Sequence, residues 1–127
     1  MNNFRFLTPT VHGALDYAAA AGLIVLPFLL GFSGLAQWLS VAGGLGLIGY
    51  SLLTDYALSV ATVLSFKTHL VLDLTAGAVF IVAPFAFGWT GLVMGYYFVM
   101  AAGVIAVVAL TNSSAEMAAG VSASAGA

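Results

Sequence analysis

Two histidines and two aspartates carry most of the chemistry this chain can offer. His12 precedes Asp16 by four residues, His69 precedes Asp73 by four, and the second pair lies 57 positions after the first. At that spacing on a helix the two side chains share a face and can meet. An imidazole beside a carboxylate can tie two helices together, relay a proton, or present nitrogen and oxygen to a metal ion. Other polar residues fall at the same offset, Thr54 with Thr111 and Asp55 with Asn112.

The elements that must position them follow from the same offset. Residues 12–55 align with 69–112 without a gap and are identical at 16 of 44 positions. The matches include the rarer residues, both histidines, both aspartates, Pro27 with Pro84 and Gly31 and Gly34 with Gly88 and Gly91, which apolar composition alone would not put in register. This is a duplicated unit. Apolar stretches at 11–30, 35–54, 69–88 and 92–111 each approach the ~20 residues a helix needs to cross a bilayer. Each unit is therefore expected to be a helical hairpin, closed by Gly31-Phe32-Ser33-Gly34 in one copy and Gly88-Trp89-Thr90-Gly91 in the other. The fold class expected is an all-α integral membrane four-helix bundle of two tandem hairpins with pseudo-twofold symmetry along the membrane normal. It forms a single membrane domain over 1–127, with repeat 1 at 8–55, a connector at 56–68, repeat 2 at 69–112 and a disordered tail at 113–127.

Composition supports the bilayer and excludes several functions. Of 127 residues 63% are hydrophobic and 5% charged, against about a quarter charged in soluble domains. Arg5 and Lys67 are the only fixed positive charges, too few to neutralise a nucleic-acid backbone or to bind an anionic membrane surface. Without cysteine there is no disulfide, thiolate nucleophile or Cys-ligated cluster. Arg5 ahead of an apolar run looks like a signal peptide, but the third span is its twin, which argues for a retained helix. Arg5 and Lys67 share the side of the termini and the connector, so the positive-inside rule expects both termini in the cytoplasm.

Pro27 and Pro84 lie about one turn before the turn glycines, where they free the carbonyls of Leu23 and Phe80 and should bend the helix. A packing kink is preferred to a gating hinge. Trp38, Trp89, Tyr96 and Tyr97 are expected to form an aromatic belt at the hairpin-turn face, with Phe4, Phe6, Tyr50, Tyr56 and Phe66 near the other. Small residues following the polar pairs, Ala19, Ala20, Ala76 and Gly77, are expected to line the bundle interior. Ala42 with Gly46 and Gly91 with Gly95 offer further close contacts, and the connector is read as a short interfacial helix.

The expected site is thus a polar cluster at one rim: His12, Asp16, Thr54, Asp55, His69, Asp73, Thr111 and Asn112. Asp55, at a helix C-terminus, most needs a partner, and His12, His69, Lys67 and Arg5 are within the same rim. Three readings compete. The preferred one is a structural clamp in which His–Asp bonds tie the hairpins together. A proton or solute path comes second, although no charge continues toward the other face. A bound metal or haem comes third, with His12, His69, Asp16 and Asp73 as the ligands if any metal is held. No nucleophile constellation points to an enzyme, and no cofactor is expected.

The doubled proline-aromatic step before glycine, Pro27-Phe28 before Gly31-Phe32 and Pro84-Phe85 before Gly88-Trp89, resembles the SPW repeat family of small bacterial membrane proteins. The Ser51-Leu52-Leu53-Thr54-Asp55-Tyr56 run and Thr68-His69-Leu70 before Asp73 are also similar. Leu26-Pro27-Phe28 and Ala83-Pro84-Phe85 stand where the family has Ser-Pro-Trp. The resemblance implies a multi-pass protein of the bacterial cytoplasmic membrane and supplies no catalytic residues. The function expected is a small non-enzymatic structural or accessory component that self-associates or docks in a larger membrane assembly. Its partners are the lipid bilayer and a homo-oligomer or larger complex, and not nucleic acid.

Overall fold

A computed structural model describes residues 5–54 and 58–112. It contains four helices, α1 (Pro9–Leu29), α2 (Gly34–Leu52), α3 (Phe66–Phe87) and α4 (Gly91–Leu110). Their 19 to 22 residues correspond to ~28–33 Å of helix, enough to cross ~30 Å of hydrocarbon. Between 17% and 33% of each apolar span is buried inside the bundle. Outward-facing side chains include Leu29, Phe85 and Val99, all more than two-thirds exposed, as suits a surface that meets lipid tails rather than water.

Caps and turns explain where the helices stop. The hydroxyl oxygens of Thr8 and Ser65, again 57 apart, accept the backbone N–H groups of Val11 and Thr68 and so start α1 and α3. That cap starts α3 three residues before the expected 69. Gly31 and Gly88 take positive φ (75° and 69°), and Gly34 and Gly91 do so too (60° and 61°), so both hairpin turns reverse in the same way. The backbone N–H of Phe32 and of Trp89 donates to the Pro27 and Pro84 carbonyls, 2.8 Å in each copy. Both prolines lie within their helices, and the helices end two or three residues beyond them.

The helices pair as two hairpins, α1 with α2 and α3 with α4. Each hairpin meets the other more sparingly, through α1 against α4 and α2 against α3. The first hairpin packs closely at Gly44, where a Cβ would stand 2.8 Å from the Ala20 carbonyl oxygen. The expected close contacts at Ala42, Gly46 and Gly95 are not made. Ala42 and Gly46 face outward, and a Cβ at Gly95 would meet nothing within 4 Å. Between the hairpins runs an apolar cleft of about 360 Å³, lined by Ala19, Leu23, Leu47, Gly77, Phe80 and Val104 among others.

The connector is not the expected helix over its described residues. From 58 to 65 the chain is irregular and feeds the end of α2, with Val60 and Ala61 donating to the Leu52 carbonyl and Val63 and Leu64 to that of Leu53. Carbonyls that a helix C-terminus leaves orphaned are satisfied in this way. Leu64 lies parallel to Thr54, and its counterpart Leu7 lies parallel to Thr111. The tail expected to be disordered, the Phe4 and Tyr56 rings and Asp55 fall outside the described residues.

Candidate functional site

The rim cluster is built by four helix ends. The N-terminal parts of α1 and α3 carry the site acids and bases, His12 and His69 in the first turn and Asp16 and Asp73 one turn further on, and the last turns of α2 and α4 lead into Thr54 and Thr111. His12, His69, Asp73, Thr54 and Thr111 are fully buried, and Asp16 is 2% exposed. The histidines and aspartates form a closed ring of four contacts. His12 Nε2 lies 2.7 Å from Asp73 Oδ2 and 3.1 Å from Asp16 Oδ2, and His69 Nε2 lies 2.5 Å from Asp16 Oδ2 and 3.3 Å from Asp73 Oδ2. The shorter contact of each histidine crosses to the other hairpin. The spacing within each helix points to the longer ones.

The threonines settle the tautomers. Thr111 Oγ1 donates its one hydrogen to the Val107 carbonyl at 2.5 Å, so across its 2.7 Å contact with His12 it can only accept, and His12 Nδ1 carries the hydrogen. Thr54 does the same one repeat away, donating to the Tyr50 carbonyl at 2.6 Å and accepting from His69 Nδ1 at 2.8 Å. Each threonine serves the histidine of the other repeat. With Nδ1 protonated, a neutral imidazole presents the Nε2 lone pair to the centre of the ring, where the carboxylates also converge. Two lone pairs and two negative charges facing one another require positive charge between them, supplied by protons or by a metal ion. The four ligand atoms lie within 4.8 Å of one another.

Aromatic rings close the site. Phe66 stacks on His69 at 5.7 Å and meets His12 edge-on at 5.4 Å. Tyr50 meets His69 edge-on at 4.9 Å, and its hydroxyl donates to Asp73 Oδ1. The sequence places Tyr50 and Phe66 near this face, but as part of an interfacial belt. Both instead form the wall of the site. The legible signal for Tyr50 was its position one turn before Thr54, on the same face. The repeat does not duplicate them, since Val107 and Pro9 stand in the equivalent places.

Of the other expected members, Asn112 contributes its backbone N–H to the Leu7 carbonyl at 2.8 Å. Arg5 and Lys67 are exposed. Asp55 lies outside the described residues.

Toward the hairpin turns lies a second polar group, and it includes two tyrosines that the sequence assigns to an interfacial aromatic belt. Tyr96 and Tyr97 are buried, not part of an outward belt, whereas Trp38 is 57% exposed. Ser40 Oγ donates to the Leu23 carbonyl at 2.7 Å, the acceptor that Pro27 leaves without a helical amide. With that hydrogen committed, Ser40 accepts from the Tyr96 hydroxyl at 2.6 Å, and Tyr97 donates to the Ala36 carbonyl at 2.6 Å.

The fold and site define a multi-pass membrane protein of two hairpins with a buried His/Asp cluster. Comparison with protein-family models, with curated proteins and with solved structures finds no match for this chain.

Proposed function

We propose that this chain is a non-enzymatic accessory component of the bacterial cytoplasmic membrane in which the His/Asp ring clamps two hairpins into one body. Both termini face the cytoplasm, the duplicated units are related by an axis along the membrane normal, and the outward helix faces mediate self-association or docking in a larger membrane assembly. Kinship with the SPW repeat family is part of this reading. The observation that carries it is that all four threonine and aspartate contacts from the histidines to the opposite repeat cluster at one rim, whereas between that rim and the Ser40–Tyr96 contact near the turns an apolar cleft lies between the hairpins.

Transport, the second reading of the sequence, requires polar groups along the cleft. Its lining is apolar except for Tyr50, whose hydroxyl is committed to Asp73. The test is extraction of the protein from its native membrane into lipid nanodiscs and measurement of particle mass. A mass exceeding one chain is expected, and a uniform population of single chains overturns the docking role. Ion or solute flux in proteoliposomes that is abolished by Asp16→Asn would overturn the non-transport part.

A further inference from the structure

We propose that the His12, Asp16, His69 and Asp73 ring is a closed binding site for one divalent transition-metal ion of the zinc class. This deepens the clamp reading and rests on it, because the ion would be the centre of that clamp.

The donor set and its orientation point to a cation. Each imidazole has its Nδ1–H fixed by a threonine hydroxyl, which leaves both Nε2 lone pairs aimed at the same point as two carboxylate oxygens. Metal-bound histidines are held in this manner, with the distal N–H donated to a second group that fixes tautomer and ring plane. Tyr50 performs the matching task for a carboxylate by donating to Asp73 Oδ1, leaving Oδ2 toward the centre.

Charge and geometry agree. Two neutral imidazoles and two carboxylates sum to a charge that one divalent ion cancels in a region where an uncompensated charge is costly. A tetrahedral ion with bonds of 2.0–2.1 Å separates its ligand atoms by about 3.3 Å. Two ring edges already measure 3.1 and 3.3 Å, and those at 2.5 and 2.7 Å need to open by under an ångström. Nitrogen and oxygen donors without sulfur favour Zn²⁺ or Fe²⁺ over Cu⁺. With four protein ligands and burial under Phe66, no position is left for water or substrate, which is the pattern of a structural site.

The experiment uses the full chain, purified in detergent without a histidine tag. Metal content is measured by mass spectrometry, and melting is followed before and after chelation and re-addition of zinc chloride alone. One zinc per chain is expected, with a melting point that falls on chelation and returns with zinc, and with cobalt giving the intense visible bands of a tetrahedral site. Thr111→Val retains all four ligands but frees His12 Nδ1, so it should fold and bind zinc about 10–100-fold more weakly. A metal-free wild type whose melting ignores both chelator and zinc overturns the proposal. If His12→Ala still melts lower in that case, protons hold the ring and the clamp stands. If it does not, both readings fall.

Discussion

The rim and the turn ends of this bundle are built from the same duplicated unit, yet they have kept different amounts of it. At the rim, bond after bond recurs with the repeats exchanged: His12 to Asp73 and His69 to Asp16, His12 to Thr111 and His69 to Thr54, Leu7 beside Thr111 and Leu64 beside Thr54. Near the turns Ser40 corresponds to Tyr97 and Leu39 to Tyr96, and their bonds have no copies. The difference is one of stoichiometry. A ring of two imidazoles and two carboxylates is satisfied only as a whole, and each member serves the opposite repeat. A carbonyl freed by proline accepts from any nearby hydroxyl, so either copy can change alone.

Substitutions can break or sharpen that contrast. His12→Ala should be the most damaging, because it leaves buried acids without their partner, at a cost of about 3–5 kcal/mol read as a lower melting temperature in detergent. At the other end Ser40→Ala removes the donor on which the Leu23 carbonyl depends, and thermal or denaturant unfolding should show a loss of about 1–3 kcal/mol. Tyr97→Phe should cost about 1 kcal/mol or less, since the Ala36 carbonyl keeps its helical amide. A Tyr97→Phe loss equal to that of His12→Ala would erase the distinction between the two ends.

The smallest effect belongs to Ser51. Among the described residues its hydroxyl is the buried side-chain polar atom without a hydrogen-bond partner, and its counterpart is Val108. Ser51→Ala should shift stability by less than about 0.5 kcal/mol in either direction. A larger loss would mean that this hydroxyl has a task of its own.

The spans, the hairpins and the members of the ring were legible because duplication repeats scarce polar residues against an apolar background. The pairing was harder to see. Four-residue spacing suggests His12 with Asp16, while the shorter contact of His12 is to Asp73, and only tertiary packing of α1 against the second hairpin decides this. Aromatic residues misled for a related reason: Tyr and Trp suit both a lipid interface and an interior hydrogen bond, and composition does not say which way they point. The alignment of Ser40 with Tyr97 held the missing hint, a hydroxyl at the same register in both copies facing inward. The apolar character of the connector suggests an interfacial helix, whereas its backbone N–H groups at 60, 61, 63 and 64 are claimed by the open carbonyls of Leu52 and Leu53.

The paired bridges at Leu7 and Leu64 give the bundle two matching seams. Where the chain passes from Thr54 to Leu64 it crosses one seam by a covalent link, and at the other Leu7 and Asn112 already lie side by side, joined by a 2.8 Å backbone hydrogen bond. Topologically the four helices make a circle with two equivalent seams, one spanned by the chain itself and the other by backbone hydrogen bonds. A circular permutant beginning at α3 and ending with α2, or two separately synthesised halves meeting in the bilayer, would reach the same arrangement.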